Sequence, residues 1–462
     1  MPASRKDRSK LSRTELVAWL DRRVNYERFV PTAQTGGTFA LGRMRRLLAL
    51  IGSPHQAFPV VHVAGTKGKG STVAMIAAIL DHAGHRVGCY LSPHVHALEE
   101  RISVCGRPIT SAELVRAFAK VIPAVDAMDR EAGRRGVRGL TWFEVVTAGA
   151  MVHFKQAGVD IAVLETGLGG RLDATNVSQP ILSVITSISL DHMALLGSTI
   201  SAIATEKAGI IKRGCPVISG ALSLSARRVI AATAARRRAP LLQLNRDFRA
   251  LYCDATPASA HALAAGVLEL RFPNGGQTAR PVRYRVGMPG RHQASNASLA
   301  VVAAHTLNSL GFHVPPEAIA AGLSNTILPA RIETFGTQPL VIVDAAHNVA
   351  SMKALLETLG HSLNSLRPRV LVFAASGDKQ IEQMLAQATG CFDHVIVTRY
   401  ATNPRAASPE RLVAACKRAG LPAARVADSP SAALRAARSL ATKKGIVCVA
   451  GSFFLAAEIR GN

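Results

Sequence analysis

Hydrophobic and polar positions along the chain form two alternating patterns. Short apolar runs rich in β-branched residues are separated by longer segments in which apolar residues recur at helical spacing. Between residues 58 and 220 the apolar runs are "FPVVHVA", "HRVGCYL", "VDIAVLE", "PILSVITSIS" and "CPVIS". Because strands that alternate with helices form parallel sheets, this part of the chain is predicted to be α/β, with a mostly parallel sheet.

The pattern changes near residue 245 and changes back after residue 328. "LELRFPNGG" and "VRYRVG", between residues 245 and 290, predict a small antiparallel patch. The alternation of strand and helix then resumes with "PLVIVDAAHN", "RVLVFAAS", "DHVIVTRY", "AARVAD" and "GIVCVAGS". A turn containing Pro329 separates the two halves. We therefore predict two domains, residues 1–328 and residues 329–462, the second a smaller, Rossmann-like α/β domain.

Length and composition agree with a folded protein of two or three domains. The chain has 462 residues, of which 48% are hydrophobic and 18% charged. No apolar run approaches the ~20 residues that span a bilayer, and the first residues lack the apolar segment of a secretory signal. Asp7, Glu15 and Asp21 argue against an organelle transit peptide, and the seven scattered cysteines suit reduced thiols. We expect a cytoplasmic protein with no membrane partner.

The net charge of +25 raises the alternative of a nucleic-acid-binding protein. The cations occur in short groups without interleaved aromatic residues that could stack on bases, namely Arg22-Arg23, Arg227-Arg228 and residues 236–238. A basic surface also suits a protein whose ligands are small anions. We favour that interpretation and expect no nucleic-acid partner.

The segment "VAGTKGKGSTV" has the composition of a phosphate-binding loop. It lies between a predicted buried strand and a predicted helix, so backbone N–H groups of a glycine-rich turn could point at phosphate oxygens. Lys69 is placed to reach terminal phosphates, although Gly70 separates it from Ser71 and so breaks the strict Lys-Ser/Thr pattern. A tight turn without a ligand is the alternative. The predicted nucleotide-binding residues are Gly65, Thr66, Lys67, Gly68, Lys69, Gly70 and Ser71.

Other candidate residues follow predicted strands or begin helices. Glu165 ends the run "VDIAVLE" and precedes several glycines, which suits a ligand site at a sheet edge. His192 in "ISLDH" could share a metal with it, but Mg²⁺ normally prefers oxygen, so the residues alone favour a hydrogen-bonded loop histidine. Spacing alone makes Lys207 a helix-surface lysine. Trp142 and Phe143 could stack on a flat heterocycle or simply pack in the core.

Taken in order, these blocks resemble the folylpolyglutamate synthases and dihydrofolate synthases of the Mur ligase superfamily, which are ATP-dependent amide-forming ligases. The loop of that family reads G-T-[N/K]-G-K-G-[S/T], and "GTKGKGS" matches it. The resemblance covers nearly the whole chain. It continues in "LSPHVHALEERI", "TWFEVVTAGA", "VLETGLGGRLDATNV", "ISLDHMALLGS", "ATEKAGIIK", "GRHQASNASLA", "PARIE" and "VDAAHN". The resemblance makes the first domain a P-loop ATPase-like, parallel-sheet domain.

The resemblance implies roles that the residues alone do not fix. It implies ATP and Mg²⁺, with two ions, and carbamylation of Lys207, which would turn a cation into an oxygen ligand. It also implies catalytic roles for Lys69, Lys207 and His192. The implied metal ligands are Ser92, Glu165 and His192; the implied substrate-binding residues are Trp142, Phe143, Glu144 and Leu172; and the implied further ATP contacts are Asn296, Arg331, Asp344 and His347.

The chain departs from the family pattern at two positions. Ala330 and Ala345 stand where the family usually has glycines, in P-G-R and D-G-A-H-N. Alanine would strain the backbone if those positions required a positive φ; we expect it to be tolerated. Lys67 stands where many bacterial members have asparagine.

By resemblance, the protein is a monomer whose substrates are ATP, L-glutamate and a reduced folate or dihydropteroate. Two alternatives remain open. A cell-wall Mur ligase should carry a domain ahead of its loop, where this chain has 64 residues. A regulatory P-loop ATPase would respond to RNA or DNA rather than to glutamate. The sequence does not decide between addition of the first glutamate, extension of a glutamate tail, and both.

Overall fold

The protein is described here from a computed structural model that covers residues 11–27, 40–253, 263, 266–272 and 281–461. Within these residues the chain forms three sheets, of eight, three and six strands. None of the helices is long and apolar enough to pass through a lipid bilayer, as far as the described residues go.

The largest sheet belongs to the first part of the chain and is mostly parallel, as predicted. Its order is β4-β3-β2-β5-β1-β6-β7-β8. The six strands from β2 to β8 in this order are parallel to their neighbours. At the other edge, β3 pairs antiparallel with β2, and β4 pairs antiparallel with β3. Its strands are β1 (Val60–Ala64), β2 (Val87–Tyr90), β3 (Ile102–Val104), β4 (Arg107–Pro108), β5 (Ile161–Glu165), β6 (Leu182–Ile185), β7 (Val217–Ser219) and β8 (Leu241–Gln243).

Helices cover both faces of this sheet, which is why its central strands are buried along their whole length. One hydrophobic cluster joins the sheet to α3, α9 and α10, and another joins it to α1, α2, α4 and α5. The helices are α1 (Arg13–Asp21), α2 (Leu41–Leu50), α3 (Lys69–His82), α4 (Ser111–Arg134), α5 (Trp142–Ala157), α6 (Met193–Leu196), α7 (Ile200–Ala208), α8 (Leu224–Arg237), α9 (Arg291–Ser309) and α10 (Pro316–Asn325). Short 3-10 helices occupy Pro54–Gln56, Leu98–Arg101 and Ala174–Val177.

The predicted antiparallel patch is a three-stranded sheet in the order β11-β10-β9. Its strands are β9 (Arg249–Cys253), β10 (Gly266–Arg271) and β11 (Val282–Val286). Residues 273–276, "PNGG" in the predicted patch, lie outside the described residues. This small sheet packs on α9, so it belongs to the core of the first part of the chain.

The last third of the chain forms a smaller α/β unit around the six-stranded sheet. The order is β12-β13-β17-β14-β15-β16, with only β12 antiparallel to its neighbour. Its strands are β12 (Glu333–Thr337), β13 (Leu340–Val343), β14 (Arg369–Phe373), β15 (His394–Val397), β16 (Ala424–Val426) and β17 (Ile446–Ala450). Its helices are α11 (Val349–Ser365), α12 (Ile381–Ala386), α13 (Pro409–Arg418), α14 (Pro430–Ala441) and α15 (Phe453–Arg460).

The connection between the two large sheets contains one of the two unusual alanines. Ala330 is fully buried and has φ 53°, in the left-handed region that favours glycine. Ala345, directly after β13, does not have a positive φ. Both alanines replace a usual glycine of the family, but the structure shows a strained backbone only at Ala330 and not at Ala345.

Candidate active site

A cleft of about 1140 Å³ lies between the carboxyl edge of the first sheet and the second α/β unit. The carboxyl ends of parallel strands meet at one edge, so the loops after β1, β5 and β6 line the same space. Every predicted site residue lines this cleft except Gly65 and Lys207, which lie in a small recess beside it together with Lys69 and His192. The structure thus brings together residues that are as far apart in sequence as the phosphate loop and His347.

The glycine-rich loop connects β1 directly to α3, which begins at Lys69. A Cβ at Gly65 would collide with the hydroxyl of Thr186, and a Cβ at Gly68 would collide with the side chain of Asn296. Gly68 also has φ 84°, and no side chain caps the start of α3 there. The first N–H groups of α3 are therefore available to an anion, in the arrangement in which helix N-termini bind phosphates.

Lys69 faces a buried carboxylate across the loop. Its Nζ lies 3.8 Å from Oε1 of Glu165, whose residue is 4% exposed at the end of β5. Burial raises the pKa of the Glu165 carboxyl, and the charge of Lys69 opposes that shift. The backbone N–H of Ser92 donates to Oε2 of Glu165 at 3.0 Å. A buried carboxylate so weakly compensated is suited to a further cation.

The predicted metal ligands lie around the cleft without forming a ready-made cluster. Among the residues that the structure describes, no three histidine, cysteine, aspartate or glutamate side chains are grouped to hold a metal ion. His192 has φ 50°, and its side chain is 54% exposed. Mg²⁺ commonly uses one or two protein carboxylates and takes its other ligands from substrate phosphates and water. Glu165, with the hydroxyl-bearing Ser92 next to it, fits that pattern.

Lys207 is buried rather than exposed on its helix, so the surface position suggested by spacing alone is wrong. The residue is 4% exposed, and its Nζ donates to the backbone oxygen of Gly65 at 2.7 Å. Burial, followed by the charge of Lys69, lowers the pKa of Lys207 to about 7. The amine is consequently partly neutral near pH 7, directly behind the phosphate loop.

The aromatic residues at the start of α5 form one side of the cleft. Trp142 is buried, and the guanidinium of Arg101 lies 4.7 Å from the centre of its ring. Phe143 lies over Gly167, where a Cβ would collide with its ring. Glu144 accepts from the backbone N–H of Thr141 at 2.8 Å and from Arg43 at 3.3 Å. Glu144 is thus largely engaged in capping its own helix, and Arg101 covers the buried ring of Trp142, whereas Phe143 and Leu172 are partly exposed and line the cleft.

The second α/β unit supplies the opposite wall. Asp344 follows β13, and its carboxylate accepts from the backbone N–H groups of Ile332 at 2.8 Å and Ala346 at 2.7 Å. Arg331 lies 4.6 Å above the ring of Phe453, and the ring of His347 lies 5.6 Å from that same phenylalanine. These side chains are therefore held in place by their own unit.

Sequence reasoning missed several residues at the cleft. Asp191 accepts from Nζ of Lys67 at 2.8 Å, and Gln293 accepts from the amide of Asn296 at 2.8 Å. Arg101 is fully buried and pairs with Glu27. Asp191 stands directly before His192 in "ISLDH", so its position after a strand was the available signal. Nothing local marks Arg101 or Gln293.

The chain matches two families of known domains. Residues 136–304 match the Mur ligase middle domain, and residues 330–453 match the Mur ligase, glutamate ligase domain. The dihydrofolate synthase/folylpolyglutamate synthase of Bacillus subtilis is 36% identical over 423 residues, which cover 91% of this chain and 94% of the relative. The folylpolyglutamate synthase of Lacticaseibacillus casei is 34% identical and is covered, like this chain, over 97% of its length.

Solved structures agree with these relatives. Mycobacterium tuberculosis folylpolyglutamate synthase complexed with ADP has a TM-score of 0.84 at 32% identity, over 97% of both chains. Escherichia coli FolC in complex with DHPP and ADP has a TM-score of 0.79 at 29% identity, over 99% of this chain and 98% of that one. The similarity thus extends over both sheets and the cleft between them. The chain belongs to the folylpolyglutamate synthase and dihydrofolate synthase family of Mur ligases.

Proposed function

We propose that the protein is an ATP-dependent ligase that joins L-glutamate by an amide bond to the carboxylate of a folate-type substrate. The observation that carries this proposal is a glycine-rich loop, with Lys69 set against buried Glu165, opening into a cleft that a second α/β unit closes. The family supports it, because the Bacillus subtilis relative is a dihydrofolate synthase/folylpolyglutamate synthase and the Escherichia coli structure holds ADP with DHPP.

The reaction we propose has two steps. A carboxylate oxygen of the folate-type substrate attacks the γ-phosphorus of ATP, the bond to the bridging oxygen breaks, and ADP leaves. The amino nitrogen of glutamate then attacks the acyl carbon, loses a proton and expels inorganic phosphate, which leaves an amide. Positioning and neutralisation of charge provide most of the rate enhancement in such transfers.

The first wall of the cleft binds the triphosphate in this proposal. The loop N–H groups from Gly65 to Ser71 donate hydrogen bonds to the phosphate oxygens, and Lys69 neutralises the γ-phosphate. Mg²⁺, as up to two ions, would be held by Ser92, Glu165 and His192. When bound, the metal supplies charge neutralisation at the transferring phosphate.

Lys207 is proposed to be catalytic and to be carbamylated. An amine whose pKa is lowered to about 7 is partly unprotonated at neutral pH, which is the form that adds CO₂. Lys207→Ala should abolish product formation. Bicarbonate depletion during purification should weaken the wild type, and intact mass should show the added carboxyl group. Full activity alongside an unmodified mass would eliminate the carbamate.

The remaining predicted residues bind the rest of the substrates. We propose that Trp142, Phe143 and Leu172, with Glu144 at the helix start, contact the pterin ring. Asn296, Arg331, Asp344 and His347 contact ATP across the cleft, and the second unit binds most of the glutamate. We propose a monomer that works in the cytoplasm; none of its seven cysteines is paired in a disulfide.

Product mass tests the proposed function directly. The purified protein is incubated with Mg-ATP and glutamate, in parallel with dihydropteroate and with tetrahydrofolate monoglutamate. A gain of one glutamate on dihydropteroate alone identifies a dihydrofolate synthase, a gain on the monoglutamate alone identifies a tail-extending enzyme, and a gain on both identifies a bifunctional one. No gain on either, in a folded protein that binds ATP, would overturn the proposal in favour of another Mur-type amide ligase.

A further inference from the structure

Lys67 makes a polar contact between the two halves of the molecule at the phosphate loop. Its Nζ lies 2.8 Å from Oδ2 of Asp191, in the first domain, and 3.4 Å from Nε2 of His347, in the second α/β unit. The side chain is partly buried, with 30% of its surface exposed. One ammonium group therefore connects the loop between β1 and α3 to the loop that follows β13.

Hydrogen bonds fix the backbone of Lys67 and thereby determine where its side chain begins. Its N–H donates to the hydroxyl of Ser187 at 3.2 Å, and its carbonyl accepts from the hydroxyl of Thr186 at 2.7 Å. These contacts attach the loop to the end of β6 on both sides of the residue. The side chain consequently leaves a rigid base and points across the cleft.

The ring of His347 is arranged to accept the contact. Its Nδ1 lies 2.9 Å from the backbone oxygen of Ala345, which can only accept, so Nδ1 carries the proton. Nε2 then presents a lone pair to the ammonium of Lys67. Burial and the nearby charge of Lys67 lower the pKa of His347 to about 3, which agrees with a neutral ring. On its other side the ring packs against Phe453.

Charge on the first-domain side holds the ammonium in this place. Oδ2 of Asp191 lies 2.8 Å from Nζ of Lys67, and the side chain of Asp191 is only 18% exposed. Asp191 and His347 thus offer one anion and one lone pair to the same group. Lys69, two residues on, faces Glu165 instead. The two lysines of the loop therefore have different partners and, we argue, different tasks.

We propose that Lys67 is a positioning residue that fixes the ring of His347 against the phosphate loop and thereby couples the nucleotide site to the substrate held by the second unit. The inference rests on the proposed function and goes beyond it, because it assigns Lys67 to the contact between domains rather than to the phosphates. Another polar contact across the cleft, from Arg405 to the backbone oxygen of Glu27 at 3.3 Å, lies away from the phosphate loop.

A double-mutant cycle tests this coupling. Lys67→Met removes the charge at similar length, and His347→Phe keeps a ring that can pack on Phe453. We expect each single variant to lower kcat/KM for glutamate about tenfold, mainly through KM. His347→Phe should also raise KM for ATP, because His347 is a proposed ATP contact, whereas Lys67→Met should change KM for ATP less than threefold. The double variant should have the same kcat/KM for glutamate as the less active of the two single variants, because the effects of substitutions at contacting residues do not add. Lys67→Arg, which keeps a donor, should recover most of the loss.

The control cation is Lys353, which lies exposed on α11 of the second unit and whose ammonium is 3.9 Å from Glu357. Lys353→Met combined with His347→Phe should be additive. Additive losses for Lys67→Met and His347→Phe, or an effect of Lys67→Met confined to KM for ATP, would overturn the inference while leaving the ligase intact. A wild type that forms no product on any acceptor would instead remove the proposed function.

A measurement without turnover covers the case in which a variant is inactive. Nitrogen NMR of histidine-labelled protein, with the His347 signals assigned by their loss in His347→Phe, reports the ring directly. Lys67→Met should shift the resonance of the unprotonated Nε2, whereas Lys353→Met should not. An unchanged Nε2 resonance in folded Lys67→Met would mean that the ammonium does not contact the ring, and the inference would fail.

Discussion

The two walls of the cleft hold their ionisable groups in different ways. On the first wall, Glu165 and Lys207 are buried with few partners, and burial moves the pKa of each toward its neutral form. On the second wall, Asp344 accepts two backbone N–H groups, and His347 donates to a backbone oxygen. Burial also raises the pKa of Asp344 and lowers that of His347, so the two walls differ in the partners of their ionisable groups rather than in burial. Backbone groups of the second unit fix Asp344 and His347, whereas Glu165 and Lys207 have fewer such partners.

This difference matches a division of labour. Groups that are desolvated and incompletely paired interact strongly with a charge that enters or develops, which is what transfer of a phosphoryl group requires. Groups that are fixed by their own backbone serve better for binding and orientation, because little order is lost when a ligand arrives. We expect changes at Lys69, Glu165 and Lys207 to affect chemistry. Changes on the second wall, or at Lys67 where it contacts that wall, should affect binding or stability.

The largest expected effect comes from Lys69 on the first wall. Lys69→Met keeps the length of the side chain and removes its charge from beside Glu165, so product formation should fall on the order of 10³-fold. The fold should persist, as measured by circular dichroism and thermal unfolding. Product mass against time is the readout; turnover within a few fold of the wild type would break the assignment of chemistry to this wall.

The next effect is a pH dependence of stability caused by Lys207. Its pKa is about 7 in the folded protein and 10.5 in the unfolded chain, so between these values the unfolded state binds more protons and stability should rise with pH. In bicarbonate-free buffer, where Lys207 carries no carbamate, the wild type should gain on the order of 4 kcal/mol across that window relative to Lys207→Met. Urea unfolding of both proteins at several pH values measures the difference. A flat difference would show that Lys207 does not titrate as a buried amine.

A smaller effect is expected behind the first wall, at Thr175. Its hydroxyl lies 2.8 Å from Nε2 of buried His62 and donates to Oδ1 of buried Asp173 at 2.5 Å. Thr175→Val keeps the shape and leaves both groups without this partner, which should lower the free energy of unfolding by about 2 kcal/mol.

The matched control for Thr175 is Ser178, directly after the same 3-10 helix. Its buried hydroxyl has no hydrogen-bond partner within the described part of the chain. Ser178→Ala should therefore change the free energy of unfolding by less than about 0.5 kcal/mol. Equal losses for the two variants in urea unfolding would mean that the polar network behind the wall contributes nothing specific.

The smallest effect concerns the strained alanine of the second wall. Ala330→Gly relieves a left-handed conformation at φ 53° and should raise the free energy of unfolding by about 1 kcal/mol. Ala345→Gly, at a position without positive φ, should lower it by about 0.5 to 1 kcal/mol because glycine adds freedom to the unfolded chain. Thermal unfolding of the pair gives the answer, and a shift of both in the same direction would contradict the explanation by backbone strain.

Much of the fold could be predicted because its signals are local. The strand before the loop, the glycines and the helix after them are contiguous in "VVHVAGTKGKGSTV", and each local choice agrees with the others. The small antiparallel sheet was likewise visible in "LELRF" and "VRYRV". The parallel sheets followed from the alternation of strand and helix, without knowledge of which strands are neighbours.

The rest of the site depends on distances that sequence does not contain. Lys67 and His347 are separated by 280 positions, and no sequence feature near either residue predicts that the two are in contact. Lys207 looks like a surface lysine until the packing of α7 behind the loop shows that it is buried. Burial and partner identity are properties of the packed molecule and were not available from spacing.

The chain crosses once from the first large sheet to the second, and this single connection affects how such proteins can evolve by recombination. All described strands of the six-stranded sheet follow that passage. The buried residues of its two hydrophobic clusters all come from position 330 onward, and partly buried Val95 and Leu263 of the first part pack against them. Recombination between related genes at this point would exchange one complete core without cutting another. Such chimaeras should fold readily. Their two halves would come from different parents, however, and would have to form the contacts at the cleft, such as that of Lys67 with His347. Compatibility of parents would then be limited by a few cleft residues rather than by the cores.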